Sequence, residues 1–509
     1  MFVLLPGFLY GVGDLILKLL RRRGGFGEAV AVSLSFWGIV GWFSFGHFKE
    51  VVLLLSSVGT LWVLYALLKE RPKITTPVLF MVLASLMRYA ITFPFLYPYQ
   101  KDFIMHAYST ATILHYNGYG PEYYPFGVPG FGAFNLGFHF VSAGLSYLTG
   151  LKPIDSVLLS VYTFWGVFFW AMYRWLNDPR VALLSIFTFP YPLSYLRWGG
   201  FPTLASLSLG LLAFRERPRH ALPYWLGAFS FHFIPVLIPM LVYAVQHRRR
   251  FLDFLPYALF LLLLPQYYLI LQSALSMSPT ETAIVDSFVL YGFPKSSAVV
   301  VILLLFSLLG YRFSPGCRVP LWGVILSVIA GVVAFLLAWS HVPFNAPKSL
   351  YMSRMILLLL PPAGYGVLKL WRRFGLATLI LPLTVSSYMA YLHYTVGLNP
   401  SDWRALKGLH YGDGWFLTSY WSEGSYLPAL GVPSWISHYI VSQVDEFREA
   451  ARREGFRYVV CDRKDPNGPI PYYREVCGRG VEHPNVAEVV ARGENVVVYR
   501  LRRVVHPEM

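Results

Sequence analysis

The sequence has 509 residues, of which 56% are hydrophobic, 17% are aromatic and only 13% are charged. In a typical soluble protein roughly a quarter of all residues are charged, so this composition excludes an ordinary soluble enzyme. The formal net charge of +16 does not indicate a nucleic-acid partner, since the basic residues cluster in short connections between apolar segments, as in the cytoplasmic loops of membrane proteins.

Apolar segments near the ~20 residues that a membrane span needs recur from Met1 to about residue 396. Examples are Val51–Leu68, Phe254–Leu271 and Leu321–Trp339. The first segment, Met1–Leu20, has no basic region before it and no small-residue cleavage site, and its positive charges follow it. We therefore expect it to be a retained span and not a signal peptide.

The basic clusters between these segments predict the topology. They are Arg21–Arg23, Lys69–Lys73, Arg174 with Arg180, Arg215–Arg219, Arg248–Arg250, Arg312 with Arg318, and Lys369–Arg373. If all are cytoplasmic, the chain crosses the membrane about fourteen times and both termini lie outside. This count includes a short hairpin folded at His232, and it places Phe131–Thr149 along the outer interface as an amphipathic helix.

Three regions follow from this topology. Residues 1–73 are predicted to be N-terminal accessory transmembrane helices. Residues 74–396 are predicted to be a transmembrane core, with a first outer loop at 99–155. Residues 397–509 are predicted to form a small extracytoplasmic α/β domain, because this tail is polar and electrically neutral, with 14 basic and 14 acidic residues.

Local patterns in the tail support the α/β prediction. Ser442–Glu454 has helical spacing of its apolar residues, and Phe456–Cys461 is typical of a buried strand. Val486–Val490 and Asn495–Leu501 flank a turn-like segment and predict a hairpin.

Two of the three cysteines, Cys461 and Cys477, fall in this tail, and Cys317 falls in a predicted cytoplasmic loop. An extracytoplasmic location permits a Cys461–Cys477 disulfide, although two unpaired thiols fit the sequence equally well. No Cys-x-x-Cys or Cys/His spacing suggests zinc.

The most reactive side chains in the sequence lie near the start of the predicted outer loop. Asp102 and His106 are four residues apart, so that on a helix they share a face. A carboxylate there can remove a proton from a hydroxyl or hold a cation. A histidine one turn away can bind phosphate when protonated or orient the carboxylate when neutral. The alternative is a helix N-terminal carboxylate beside an interfacial histidine.

The rest of the loop supplies groups that could contact a sugar or an acceptor: Glu122, Tyr123, Tyr124 and His139. The aromatic rings could stack on a sugar ring or anchor the chain at the interface.

Basic groups at outer membrane depth form a third set. Arg88 lies inside a predicted span, where a charge is costly and usually functional. Arg197, His232, Lys348 and Arg354 occur at predicted outer turns or span ends. A phosphate or pyrophosphate on a lipid would be bound by such groups, although each one taken alone could equally be a snorkelling side chain or part of a structural ion pair.

From about residue 74 to the end, the layout resembles the GT-C superfamily of membrane glycosyltransferases. The shared features are a span leading to a long outer loop with an early acidic residue, a Tyr/Pro-rich stretch (Tyr123-Tyr-Pro-Phe-Gly-Val-Pro-Gly-Phe), further spans and an outer C-terminal domain. The resemblance implies transfer of a sugar from a polyprenyl (dolichyl-type) phosphate donor to an extracytoplasmic glycan, lipid or protein. It also implies that Asp102 is the catalytic carboxylate, and that His106 and the later basic residues bind the donor phosphate.

Some signatures of that superfamily are missing. The sequence lacks a Trp-Trp-Asp-Tyr-Gly run and an adjacent Asp-Glu pair in the loop, and it has no Asp-x-Asp, so no cofactor or divalent metal is indicated. Two other classes also remain open. One is a lipid-linked oligosaccharide flippase or transporter, and the other is a polysaccharide polymerase or ligase that uses a pyrophosphate-linked donor.

Overall fold

The computed structural model describes residues 1–22, 24–70, 75–92, 101–123, 128–129, 135–189, 200–276, 305–310, 359–394 and 399–407. In the C-terminal region it describes residues 415–419, 426–427, 430, 432, 434–437, 455–462, 477 and 487–505. A bundle of apolar helices comes first along the chain, and a small sheet follows near the C terminus, as the sequence predicts.

The helices are short to medium in length and mostly apolar. Proline lies in the first turn of five of the described helices, α7 to α11, where its missing N–H costs no hydrogen bond. In chain order the helices are α1 (Phe2–Leu19), α2 (Phe26–Val40), α3 (Phe48–Glu70), α4 (Thr76–Thr92), α5 (Lys101–Tyr116), α6 (Gly137–Thr149), α7 (Pro153–Leu176), α8 (Pro179–Thr188), α9 (Phe201–Ala213), α10 (Pro218–His232), α11 (Ile234–Gln246), α12 (Leu264–Ser276), α13 (Leu360–Phe374), α14 (Ile380–Tyr394) and α15 (Pro400–Lys407).

Five segments in the described part of the chain are long and apolar enough to cross a membrane. They are Phe2–Leu19, Phe26–Phe43, Phe48–Lys69, Pro153–Leu176 and Arg248–Ile270, the last of which joins a 3-10 segment to α12. Shorter apolar helices accompany them, and the predicted span at 319–339 lies outside the described residues. The chain is therefore a helical membrane protein. The predicted hairpin at His232 is confirmed, since α10 ends at this residue and α11 begins at Ile234.

Helix α2 lies at the centre of the bundle. It is apolar on all sides and 11 of its 15 residues are buried, which is expected of a helix surrounded by other helices. It packs against α1, α6, α7 and α10. Helices α1 and α3 also pack very closely: a Cβ on Gly7 would lie 2.0 Å from the Ser56 carbonyl oxygen, so only glycine permits this approach. The first three helices are thus packed into the bundle.

A buried network of opposite charges ties one end of the bundle together. The Arg174 guanidinium pairs with Glu28 and lies 3.5 Å from Glu216, and Arg22 pairs with Glu216. The Trp170 indole N–H donates to Glu28 at 2.7 Å. Two arginines and two glutamates from the α1–α2 connection, α2, α7 and the α9–α10 connection therefore neutralise one another. We call this group the Arg–Glu network and this end of the bundle the basic end.

Other basic clusters of the sequence lie at the same end. The Tyr243 hydroxyl, one turn before Arg248–Arg250, donates to the Glu216 carbonyl at 2.7 Å. The Tyr365 hydroxyl, one turn before Lys369, donates to the Trp175 carbonyl at 2.6 Å. The arginines at 215, 217, 219, 248, 249, 250, 372 and 373 are exposed. These basic clusters thus lie at one end of the bundle.

The opposite end of the bundle is held by Asn117, which follows α5 in a left-handed conformation with φ of +52°. Its backbone carbonyl accepts from Phe48 N–H at 2.9 Å, and its side-chain oxygen accepts from Lys49 N–H at 2.6 Å. Its amide donates to Gly46 and Glu50, both at 2.8 Å. Asn117 therefore satisfies free N–H groups at the start of α3 and joins that helix to α5.

The C-terminal domain contains a five-stranded mixed sheet in the order β4-β3-β5-β7-β6. Its strands are β3 (Trp415–Ser419), β4 (Ser434–Ser437), β5 (Phe456–Asp462), β6 (Ala487–Arg492) and β7 (Val496–Val505); β1 (Glu122–Tyr123) and β2 (Val128–Pro129) form a separate two-stranded hairpin. Strand β3 pairs in parallel with β4 and β5, whereas β7 is antiparallel to β5 and β6. The predicted strand and hairpin are confirmed, and the predicted helix Ser442–Glu454 lies outside the described residues.

A disulfide and the hydrogen bonds of a buried carboxylate stabilise this domain. A disulfide joins Cys461 in β5 to Cys477, which settles the alternative that the sequence left open, whereas Cys317 lies outside the described residues. Asp402 of α15, fully buried, accepts from Asn495 N–H at 2.8 Å and from Val496 N–H at 3.0 Å. It thereby fixes α15 to the β6–β7 turn.

The Arg–Glu network predicts a large difference between two arginines at the same end. Arg174→Gln leaves Glu28, whose side chain is 1% exposed, without its cation, and should reduce stability by about 3 kcal/mol. The control Arg180→Gln removes an ion pair whose arginine is 62% exposed, and should cost less than about 1 kcal/mol. Thermal unfolding of the purified variants in detergent measures the difference, and equal melting temperatures would contradict the network's role.

Candidate functional site

The predicted outer loop contains two helices that are packed inside the bundle. In helix α5, nine of the eleven residues from Phe103 to Ile113 are buried. In α6, 11 of 13 residues are buried. The interpretation of Phe131–Thr149 as an amphipathic interfacial helix is therefore wrong for the described part, because neighbouring helices cover every face of α6.

His106 of α5 and His139 of α6 form a hydrogen-bonded pair. Nδ1 of His106 lies 2.9 Å from Nε2 of His139. His139 is 3% exposed and His106 is half-buried. The sequence analysis selected both residues for different roles, and the structure brings them into direct contact. Phe138, the neighbour of His139, contacts Phe164, ten residues before Arg174 on α7, so the pair lies roughly 15 Å from the basic end along that helix.

Aromatic rings surround the His106–His139 pair. The His106 ring centroid lies 5.4 Å from that of Phe201 at the start of α9 and 5.8 Å from that of Phe138. Phe103, one turn before His106, contacts the same Phe201 ring at 5.7 Å. This apolar environment disfavours a positive charge on the His139 ring, which is 3% exposed.

Arg88 is fully buried in α4, which packs against α7. Its guanidinium carbon is 5.2 Å from the centre of the Trp165 ring, a cation–π contact. Phe164, the residue before Trp165, contacts Phe138 next to His139. Arg88 and Phe138, the residue beside His139, thus contact successive residues of α7, so the arginine and the histidine pair lie at a similar distance from the basic end.

His232 ends α10 and is half-buried. Its backbone carbonyl accepts from the Ser206 hydroxyl at 2.8 Å, and nearby Ser230 donates to the Gly38 carbonyl at 2.7 Å. Asn135, just before α6, donates to the Phe229 carbonyl at 3.0 Å. Side chains from several helices therefore satisfy the last carbonyls of α10, and they fix the position of the residues that precede His139.

Glu122 and Tyr123 lie in the β1–β2 hairpin at the far end of α5. Burial raises the pKa of the Tyr116 phenol, and the negative charge of nearby Glu122 raises it further. Tyr123 is buried, and Tyr119 stacks on Trp42 with centroids 5.4 Å apart. Since Tyr116 is ten residues beyond His106, about 15 Å along the helix, these two residues are not part of the histidine pair.

The remaining predicted site residues are only partly described. The backbone of Asp102 lies in the first turn of α5, one turn before His106, as the spacing predicts; its side chain lies outside the described residues. Tyr124, Arg197, Lys348 and Arg354 also lie outside them. In the part of the chain that is described, no group of three or more His, Cys, Asp or Glu side chains could hold a metal ion.

The sequence reasoning missed the acidic half of the Arg–Glu network. Glu28 and Glu216 were overlooked because only the basic clusters were used as topology markers. A signal was present: Glu28 follows Arg21–Arg23 at the start of an apolar helix, and Glu216 lies between Arg215 and Arg217. An acidic residue at such a place in a membrane helix usually has a cationic partner.

Comparison with known proteins does not assign the chain to a family. No protein-family model matches the sequence, and no curated protein matches it.

Proposed function

We propose that this protein is a multi-pass membrane glycosyltransferase that moves a sugar from a polyprenyl phosphate to an acceptor outside the cytoplasm. The observation that carries the proposal is the position of α5. Its first turn contains Asp102, and one turn later His106 is hydrogen-bonded to His139 inside an apolar bundle. Ionisable groups are costly at such positions and are usually kept for function.

The proposed reaction uses a carboxylate and one or more cations. The Asp102 carboxylate removes the proton from the acceptor hydroxyl as the sugar carbon bonds to that oxygen and the bond to the donor phosphate breaks. The phosphate leaves with the polyprenyl chain and carries the negative charge. His106 in its protonated form and buried Arg88 are the described groups suited to stabilise that charge. Arg197, His232, Lys348 and Arg354 remain further proposed ligands of the phosphate, and Glu122, Tyr123 and Tyr124 remain proposed ligands of the acceptor or sugar.

The proposed orientation puts the basic end in the cytoplasm. Exposed arginines concentrate there, as the positive-inside rule requires. The Cys461–Cys477 disulfide supports an oxidising compartment for the C-terminal domain. We propose about fourteen spans with both termini outside, a topology that is compatible with both constraints.

Asp102→Asn tests the catalytic assignment. The amide keeps the size of the side chain but accepts a proton poorly, so transfer should fall by at least about 100-fold. The assay incubates purified protein with synthetic polyprenyl-phosphate sugars and measures release of polyprenyl phosphate.

The control is Asp155→Asn, which changes an aspartate in the first turn of α7, as Asp102 is in the first turn of α5. It should retain transfer. Full activity of Asp102→Asn would remove Asp102 from the mechanism.

A transporter or flippase is the second proposal, and buried Arg88 together with the histidine pair also favours it, because such groups occur along transport pathways. The same assay separates the two, since a transporter releases no polyprenyl phosphate. A polymerase or ligase would act only on a pyrophosphate-linked donor.

Cysteine labelling tests the orientation. In intact cells, a membrane-impermeant maleimide should leave the unreduced protein unlabelled, because Cys461 and Cys477 are joined and Cys317 is proposed to face the cytoplasm. Permeabilised cells should label at Cys317, and mild reduction of intact cells should expose the other two. Labelling of Cys317 in intact, unreduced cells would reverse the proposed orientation.

A further inference from the structure

Three consecutive arginines, Arg248–Arg250, form an exposed corner at the basic end, and we call them the arginine triplet. They follow α11 and begin the 3-10 segment Arg248–Leu263. All three are exposed, and within the described ranges Arg249 and Arg250 form no ion pair. Their positive charges therefore face the surroundings without a local carboxylate to neutralise them.

A second group of exposed arginines lies beside the triplet. Its members are Arg215, Arg217 and Arg219. Tyr243, near the end of α11, donates to the Glu216 carbonyl at 2.7 Å, and Tyr257 of the 3-10 segment donates to the Pro218 carbonyl at 3.0 Å. Since Arg248 follows Tyr243 by five residues, about 8 Å along a helix, the two groups of arginines form one basic patch.

The nearby carboxylates do not cancel the charge of this patch. Glu216 pairs with Arg22 and lies 3.5 Å from Arg174, so its charge is used inside the bundle. Asp253, three residues after the triplet, is half-buried. Six exposed arginines thus face at most one carboxylate that has no cation of its own in the described part of the chain, and the patch attracts anions strongly.

The 3-10 segment that leaves the triplet has an aromatic face and a leucine face. Every third residue of a 3-10 helix lies on the same side. The residues on the inner side are Phe254, Tyr257 and Phe260. The Phe260 ring lies 5.0 Å from that of Phe229, so this side packs on α10. The exposed residues on the outer side are Leu252, Leu255 and Leu261.

Helix α11 presents a second exposed apolar row that ends at the same corner. Leu237, Leu241 and Val245 are exposed and are spaced by four residues, so they share one face of the helix. The next position in this series is Arg249. Two apolar rows, one on α11 and one on the 3-10 segment, therefore meet at the arginine triplet.

We propose that the arginine triplet and its two apolar rows bind a phospholipid with an anionic headgroup, from the leaflet at the basic end. Guanidinium N–H groups donate to the phosphate oxygens of the headgroup, and the acyl chains lie along the exposed leucines. Basic clusters beside a membrane span are typical of anionic-lipid binding. A soluble phosphate would leave the apolar rows without a role. The inference does not depend on the proposed function.

Native mass spectrometry of the full-length protein tests this inference. The protein is taken from mixed micelles that contain equal amounts of phosphatidylglycerol and phosphatidylcholine. Each arginine near an anionic headgroup strengthens binding by about five-fold, so contacts from two or more arginines should give a preference for phosphatidylglycerol of roughly 25-fold. Equal retention of the two lipids would overturn the inference.

Two variants separate this surface from the general positive charge of the basic end. The combined substitution Arg248→Gln, Arg249→Gln and Arg250→Gln should lower the preference at least about five-fold. The control combines Arg180→Gln, Arg372→Gln and Arg373→Gln, which removes the same charge from α8 and α13 at the same end. It should retain the preference. An equal loss in both variants would show that general charge, and not this surface, attracts the lipid.

Two further measurements complete the test. Excess inorganic phosphate should not displace phosphatidylglycerol, and displacement would show a site for a free anion. The substituted arginines are exposed, so melting temperatures in lipid-free detergent should stay the same. If the triple variant does not fold, Arg249→Gln with Arg250→Gln replaces it, with the same expected direction. This double variant keeps the bond from Arg248 to the Val245 carbonyl at 3.3 Å.

Discussion

The Arg–Glu network is the constraint on which the rest of the bundle depends. It joins the α1–α2 connection, α2, α7 and the α9–α10 connection at one place, and each buried charge there has a partner. Leaving one of these charges unpaired in an apolar interior costs several kcal/mol. The network therefore fixes the register of the central helices at the basic end. The position of the other end of α7 follows from that register.

Helix α7 carries this register to the candidate site. Its Phe164 contacts Phe138 beside His139, and its Trp165 lies under Arg88. Helix α7 therefore has two roles: ion pairs hold its C-terminal turn, and its middle contacts both Arg88 and Phe138, the residue beside His139. A protein that bound only at its surface would have no need to keep three ionisable side chains at this depth.

The opposite end of the bundle and the C-terminal domain are held by ties other than ion pairs. Asn117 satisfies the start of α3, Asp402 satisfies the β6–β7 turn, and a disulfide closes the loop after β5. These ties act over short ranges, so they fix local geometry without a network of ion pairs.

The sequence by itself determined the membrane character, the gathering of the basic clusters, the hairpin at His232, the hairpin of β6 and β7, and the turn that separates Asp102 from His106. Each of these depends on composition or on spacing along one segment, which local sequence records. Only the tertiary structure decided that α6 is buried, that His106 bonds to His139 and that Glu28 bonds to Arg174. These partners lie on different helices, and no periodicity links their positions, so their meeting depends on how whole helices pack.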